Sequence, residues 1–548
     1  MKEWKKSGDY SSVEDIIIQK SGQTLRQLQS PAPLNPGYID HISECVLMIK
    51  TCIPRKMPIW IIGDYDADGI TATAILVKQL QYLGASPETI IPKRFTDGYG
   101  ISEKMVAGIR NSLIFTVDNG ITAVDAVKAA KASGNMVAIL DHHVPGPELP
   151  PADAIVNPCL PGDCSLYRDY CGAGLAYKLS EYLCMGRERS MITALFKDLT
   201  VLATIGTLAD VMPLTGDNRR IVKAGLSILN SRKSFSQLSP GIRALCAMAQ
   251  PPYTEESISR LVVPVLNSVG RLYNAGGTSA LKALLCGEQK DALIYAGKMK
   301  VINQKRKELV KHWHDIAHQE AVRQADAPVL NICCPDMPEG ILGIVAGMLA
   351  EELQRPAFIF GKSIARNNQL KCSVRSYGRQ DLSPLLNHIR PYSLDEGGHS
   401  SAAGLTVASS NYTEMSKAIQ EYTASAQTPS PEKALYYDME VRESQLPVIM
   451  KILKSMAPFG EGVQKPVFVL PEFHCSDYSG GGYHLLGQGR EHVRLSGKEC
   501  DAIGFDLAET YAKLGYPTTV DLLGTVEENH FHGHTSVQFH ILDMRASA

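Results

Sequence analysis

Between residues 57 and 140 the chain runs through one hydrophobic pattern three times. "MPIWIIGDYD" is a short apolar run ending in acids, and "GITATAILVKQLQYLG" behind it has apolar positions at helical spacing. "SLIFTVDNG" followed by "ITAVDAVKAAKASG" repeats the pair, and "MVAILDHH" opens a third round. Short buried strands alternating with helices predict a parallel α/β sheet. The C-termini of its strands would share one edge, where ligands bind. Asp64, Asp66, Asp118 and the triplet Asp141–His143 are therefore expected to meet in space, far apart though they are in the chain.

Beyond this unit the pattern changes several times. Pro- and Gly-rich "HVPGPELPPADAIVNPCLPGD" (143–163) reads as a loop over the sheet edge. Mostly helical sequence follows, containing "DLTVLATIGTLADVMPL" (198–214), and residues of about 217–325 are dominated by helix. That stretch ends in "YAGKMKVINQKRKELVKHWHDIAHQEAVRQA", a long charged amphipathic helix suited to connect domains. A second α/β unit begins near 328 with "PVLNICCPDMPEGILGIVAGMLAEEL" and runs to about 424. "SAQTPSPEK" (425–433) reads as a linker, and the short strands and glycine turns behind it predict a small barrel.

Composition narrows the class only slightly. With 548 residues, 44% hydrophobic and 20% charged, the chain has the makeup of a folded protein of several domains. A formal net charge of −2 advertises no nucleic-acid partner, although a groove needs only local Lys and Arg. "MKEWKKSGDYSS" lacks a signal-like apolar stretch, and no uncharged run reaches membrane-spanning length, so no membrane partner is expected. Thirteen scattered cysteines read as reduced thiols in a cytoplasm. Cys159, Cys164 and Cys171 come nearest to a zinc cluster, but their spacing fits no common ligand pattern.

The candidate chemistry centres on "GDYDADG". Asp-x-Asp-x-Asp-Gly also opens an EF-hand loop, with Gly69 at its sixth position; the twelfth, which must supply a bidentate Glu, is Ile75. The flank is a strand rather than a helix, so the calcium loop fails. A solvated acidic turn would be the plain reading of the motif alone. Asp118 in "TVDNG", the "DHH" at 141–143 and Asp210 inside apolar "GTLADVMPL" argue for more. Carboxylates with imidazole suit manganese or magnesium, and two such ions can serve a phosphoryl displacement.

These residues resemble a known family. "GDYDADG", "VDNGI", "DHH" and "GTLADV" are similar to the first four motifs of the DHH phosphoesterase superfamily, and "EGGHSSAAG" (396–404) resembles the glycine-rich motif of its DHHA1 domain. "LNSVGRLYNAG", "INQKRKE", "EGILGIVAGMLAEELQRP", "VRS", "MAPFGEGVQKPVF" and "VQFHILDMR" follow in the order of one branch, the RecJ single-strand-specific 5′→3′ exonucleases. The resemblance implies an N-terminal extension (1–54), a DHH parallel-sheet domain (55–215) and a helical connector (216–326) ending in a long helix. A DHHA1 α/β domain (327–424) and a C-terminal OB-fold β-barrel (434–548) would complete the chain.

By the same resemblance, Asp66 and Asp118 would hold one Mn2+ or Mg2+ ion, and Asp118 would bridge to a second held by Asp68, His142 and Asp210. Asp64 would be a ligand or a supporting acid, Asp141 would orient His142, and His143 would contact the scissile phosphate. Many relatives place a His where Ile62 stands, which predicts weaker occupancy of the first site unless Asp64 compensates. Arg375, Ser376, Gly397, Gly398 and His399 would bind phosphate; Arg271 and Arg306, with Asn267 and Gln304, would touch the strand's backbone. Pro338 also replaces a usual His. In the barrel, Tyr478, Tyr483 and Arg494 are candidate strand contacts, while His530, His532 and His534 read as a hairpin tip.

The implied function is metal-dependent removal of 5′-mononucleotides from single-stranded DNA in repair and recombination. A cytoplasmic monomer would do this, with a helicase and a single-strand-binding protein as candidate partners. Two alternatives stay open: a superfamily enzyme cleaving short oligonucleotides or cyclic dinucleotides, and a replisome scaffold without catalysis.

Overall fold

Ile59–Ile62 (β1), Glu88–Ile90 (β2), Leu113–Val117 (β3), Met136–Leu140 (β4) and Ala154–Val156 (β5) build an all-parallel sheet in the order β2-β1-β3-β4-β5. The computed structural model describes residues 3–325, 327–378, 380–399, 401–425, 434–475, 482–531 and 534–547. Most of the linker expected at 425–433, and Tyr478 and His532, lie outside these residues. Every residue of β3 is buried, as a central strand covered on both faces requires. β5 corrects the reading of 143–163 as a loop throughout. Three residues between prolines are too few to show a period, and it is pairing with β4 that makes them a strand.

Ala67–Tyr82 (α1) is buried almost all round, because Gly172–Leu183 (α2) and Arg189–Ala209 (α3) pack against it. α3 is long and apolar enough to cross a membrane by composition, but its second half is core. Val263–Leu272 (α4) and the 35-residue Gln289–Arg323 (α5) lead to the second sheet. There Leu330–Cys333 (β6) pairs parallel with Ala357–Lys362 (β7) through the crossover helix Leu342–Leu353 (α6). Gln369–Arg375 (β8), Ser393–His399 (β9) and Ala402–Ala408 (β10) continue it antiparallel in the order β9-β10-β8-β7-β6.

Leu34–Met212 and Ala224–Pro431 form one compact unit holding both sheets; Met1–Pro33, Pro213–Lys223 and Glu432–Ala548 form another. Residues 3–33, expected as part of a separate extension, thus belong with the C-terminal region. The reason is burial: Ile16, Ile17 and Leu28 share a core with Leu446, Leu453, Phe468 and Val493. Fully buried Arg219 fastens the pieces, donating to the carbonyls of Leu28 (2.7 Å), Pro458 (2.7 Å) and Met456. A seven-stranded mixed sheet completes this unit, its longest strands being Thr519–Phe531 and His534–Ala546.

Candidate metal centre

β1 ends at Ile62, whose side chain is buried in the apolar core with Ile101 and Ile139, so it faces away from the acids that follow. Asp66 caps α1, accepting from the Gly69 N–H at 3.0 Å. A Cβ on Gly69 would stand 2.7 Å from the Asp64 backbone, so the turn that doubles the acids back on the helix needs glycine there. Asp68 is buried at the start of α2, accepting from the N–H groups of Gly172 (2.7 Å) and Ala173 (3.0 Å). The positive end of a helix suits that charge.

Asp118 follows β3 with φ 61°, a left-handed conformation uncommon for a side-chain-bearing residue. Two neighbours hold it there. Asn119 donates to the carbonyls of Ile62 (3.1 Å) and Val117 (2.8 Å) and accepts from Ile101 N–H (3.0 Å), locking the ends of β1 and β3 together. The Tyr99 hydroxyl donates to the Asp118 carbonyl at 2.6 Å. Asp210 sits at the C-terminus of α3, just past the buried stretch.

His142 Nε2 lies 3.1 Å from Asp118 Oδ1, 3.6 Å from Asp210 Oδ2 and 3.9 Å from Asp68 Oδ2. Donor atoms gather into three overlapping groups: Asp64, Asp66 and Asp118; Asp68, His142 and Asp210; and Asp118, His142 and His143. Among the described residues no such group includes a cysteine; Cys159 and Cys164 are exposed, and Cys171 is buried at the cap of α2.

Burial, and then one another's charges, push the carboxyls of Asp64, Asp66 and Asp118 upward and that of Asp210 up to about 8. Burial likewise holds His142 below the usual imidazole range, favouring the neutral form that a metal requires. Asp64 Oδ1 is buried with no hydrogen-bond partner among the described residues. A crowd of buried, mutually repelling carboxylates with an orphaned oxygen is a cation site by its own electrostatics. Its oxygen-rich donors with one imidazole fit Mn2+ or Mg2+.

Asp141 does a different task from the one expected. Its carboxylate accepts from the backbone N–H of His142 (2.8 Å) and Ile121 (3.0 Å), and the ring it holds is that of His143, at 2.7 Å from Nδ1. The side chain of His142 instead faces the other acids. Burial opposes charge on His143, but the hydrogen bond to Asp141 and the carboxylates around it outweigh that and push its pKa up to about 9. Burial tends to raise Asp141, yet the His143 contact holds it below the usual range. Tyr99, which the sequence reading passed over, lies 3.2 Å from both ring nitrogens of His143.

A cationic cluster borders the acids. Arg271, at the end of α4, is partly buried; desolvation, then the charges of Arg94 and Arg306, lower its pKa to about 10. The charges of Arg375 and Asp66 also act on Arg271, so Arg271 lies within electrostatic reach of three other guanidinium groups and of the acids. Arg94 was not among the expected residues. It lies over the Tyr65 ring at 4.7 Å, and the basic-aromatic "KRF" in a glycine turn was the available signal. Arg271 also donates to the Gly340 carbonyl at 3.3 Å, and a Cβ on Gly340 would fall 1.8 Å from the Arg271 carbonyl, so α4 meets the turn before α6 backbone to backbone.

Asn267 accepts from the Ala67 N–H at 2.9 Å, serving the start of α1. Gln304 pairs with Glu308 one turn along α5, and Pro338 begins the short turn before α6. Gly397, Gly398 and His399 end β9 in a hairpin with β10. The register sets His399 opposite Ala402 and Ala402 opposite Arg375, and Ser376 N–H donates to Ser401, so these positions share one end of the sheet. The His399 side chain is outside the described residues. In the other unit Tyr483 stacks on Tyr516 (5.2 Å, 20°), while Arg494 faces Asp501 at 3.8 Å.

Three family models match the chain in order: the DHH family N-terminal domain over 58–207, the DHHA1 domain over 326–425 and the RecJ OB domain over 437–543. The single-stranded-DNA-specific exonuclease RecJ of Haemophilus influenzae is 30% identical, over 95% of this chain and 93% of that one. The Bacillus subtilis protein of the same name is 29% identical over 94% of this chain, which spans 64% of its length. A crystal structure of Thermus thermophilus RecJ with Mn2+ superposes with a TM-score of 0.80 at 27% identity, covering 98% of this chain and 76% of that one. The Mg2+ complex from the same organism gives 0.74 at 25%, covering 98% and 75%.

Proposed function

The chain belongs to the RecJ family of DHH proteins, and from that premise we propose that it hydrolyses single-stranded DNA from the 5′ end, releasing 5′-mononucleotides, in repair and recombination. One observation carries the reading. Acids from the ends of β1 and β3 and from α3 converge with His142, and four arginines border them. Asp66, Asp118 and Asp64 would hold one Mn2+ or Mg2+ ion, and Asp68, His142 and Asp210 a second, with Asp118 shared. When bound, such ions supply an activated water and neutralise charge developing on the phosphate.

The chain's own groups do the rest. Asp141 accepts from Nδ1 of His143 and favours its charged form, and Nε2, which faces the Tyr99 hydroxyl at 3.2 Å, would turn its proton to a phosphate oxygen of the scissile bond. Arg94, Arg271, Arg306 and Arg375, with Ser376, Gly397, Gly398 and His399, hold the strand's phosphates, and Arg271 counts most because it stands between the acids and the other arginines. Arg271→Ala should raise the half-saturating strand concentration by roughly 10–100-fold, and Arg306→Ala, farther from the acids, by less than about tenfold; this is measured by titrating a labelled strand. Family membership and the OB-domain match support a long single strand as substrate. Thirteen free cysteines fit a reducing cytoplasm. The candidate partners are a helicase and a single-strand-binding protein, and the working form is a monomer.

Strands blocked at either end, digested with Mn2+ or Mg2+ and again with chelator, test the proposal. Mononucleotides should accumulate only from strands with a free 5′ end and only with metal. Digestion from a free 3′ end would overturn the polarity, and destruction of short oligonucleotides alone would favour a small-substrate enzyme.

A further inference from the structure

Between α4 and α5 lies a cavity that the acidic centre does not use. The short helix Gly276–Leu285 starts hard against the end of α4: a Cβ on Gly276 would stand 2.0 Å from the Val269 carbonyl. The corner so formed and one flank of α5 bound a cavity of about 360 Å³, within the range of small-molecule pockets. Val269, Met299 and Ile302 line it with apolar carbon, and Tyr273 and Tyr295 add two aromatic rings. Ser279 and Lys298 supply a hydroxyl and an ammonium. Tyr273, Ser279 and Lys298 are exposed and Tyr295 is half-buried, so solvent reaches the lining. Among the described residues, none of these four polar side chains has a hydrogen-bond or ion-pair partner.

The cavity adjoins the arginines. Tyr273 stands two residues past Arg271, and the next residue, Asn274, holds the turn that bears Arg94. Its carbonyl accepts from the Arg94 N–H at 3.2 Å, and its Oδ1 accepts from the Phe95 N–H at 3.0 Å. On α5, Ile302 precedes Arg306 by one turn and shares its side of the helix. From Lys298 to Lys311 that helix carries six cations, Lys298, Lys300, Lys305, Arg306, Lys307 and Lys311, against the single acid Glu308.

We propose that this cavity is a base-binding subsite for the strand on the 3′ side of the cleaved bond, a proposal that rests on the strand-hydrolysis reading above. Tyr273 and Tyr295 offer ring faces to one nucleobase, Ser279 meets its polar edge, and Lys298 meets the adjoining phosphate. The chemistry of the lining selects this occupant. Every base has a π face, so stacking on tyrosine holds a strand whatever its sequence. The ammonium of Lys298 acts on phosphate as a point charge. An apolar protein segment would fill the cavity but leave the six cations of α5 unanswered, and a basic one would be repelled by them. A single strand brings aromatic faces and negative charge together. The direction follows from the chemistry at the acids: the 5′ nucleotide is the one released there, so a contact beyond the arginines falls on the 3′ side. Lys298 and Arg306 are eight residues apart, about 12 Å along the helix axis, so the subsite is separate from the reacting phosphate. Binding energy gained there is the same before and during the reaction, so it lowers the half-saturating concentration and leaves the saturated rate alone.

The experiment uses the full chain with Mn2+ and follows release of the first nucleotide from 5′-labelled strands. The strands are intact or carry one abasic residue at successive positions from the 5′ end. In the parent, an abasic residue at one position 3′ of the cleaved bond should raise the half-saturating concentration by roughly 5–150-fold, the loss expected for one base–aromatic stack. Y295A should raise it by a similar factor on the intact strand and erase the difference between intact and abasic strands. S279L, which fills the cavity from an exposed position on the short helix, should do the same and stands in if Y295A fails to fold. K298A should flatten the dependence of log affinity on log salt by about 0.7, the share of one phosphate contact on a single strand. The saturated rate should match the parent in all three. If the parent digests strands but Y295A and S279L keep its half-saturating concentration and its sensitivity to the abasic position, the subsite alone is overturned. A parent indifferent to abasic residues at every position, or variants that lose only saturated rate, would overturn it too. A parent that digests no single strand overturns the strand reading and the subsite with it.

Discussion

Asp118→Asn should lower strand hydrolysis by roughly 10³-fold, equivalent to about 4 kcal/mol, while the metal-free protein melts at a higher temperature than the parent. The two effects have one cause. Asp118 is buried at the point where two donor groups overlap, with His142 Nε2 at 3.1 Å. Burial, then the charges of Asp68, Asp66, Asp64 and Asp141, push its carboxyl well above the usual range. An acid so raised in the folded state weakens the fold once pH exceeds its unfolded value, and the penalty vanishes as pH falls. The amide keeps the shape and removes the charge. Stability without metal therefore rises, and the gain on adding Mn2+ shrinks. Hydrolysis and metal-free melting, measured side by side, check both signs. Activity within tenfold of the parent would remove Asp118 from the centre.

Gly206→Ala should cost about 1–3 kcal/mol of stability and more than about tenfold in hydrolysis. A Cβ there would meet Ala173 Cβ at 2.4 Å, Asp68 Oδ1 at 2.6 Å and Thr71 Oγ1 at 2.8 Å. None of these can yield cheaply: Ala173 belongs to α2, Thr71 to α1, and Asp68 is held by two backbone N–H groups. α3 must move outward, carrying Asp210 away from Asp68 and His142. Gly297→Ala is the control, because its added carbon would meet nothing within 4 Å on α5. It should be neutral or stabilising by up to about 1 kcal/mol. Equal melting and rates for the two variants would show that close packing at Gly206 does not position the acids.

The residues themselves carried much of this centre. Apolar runs ending in acids predicted that Asp64, Asp66, Asp118 and the 141–143 triplet would share an edge, since parallel strands present their C-termini together. The 35-residue connector was legible because a long charged helix keeps its period over many turns. β5 was not, because three residues have no period. The structural partner of Asn267 was hidden for a related reason: spacing reveals that a polar residue faces something, but not that its Oδ1 accepts from the Ala67 N–H, two hundred residues upstream. Tyr99 and Arg94 lie in a turn without period, and their importance comes from what they touch.

What the sequence determined by itself is the class of chemistry and the edge where it happens, because strand direction and residue type are local properties. Only the tertiary structure decided the division of labour there. It turned Asp141 toward His143 rather than His142, gave Asp118 its left-handed backbone through Asn119 and Tyr99, and gathered four arginines from separated segments. It also joined residues 3–33 to the C-terminal unit through Arg219. Each of these depends on which groups meet after packing, and burial then sets the charge each one carries.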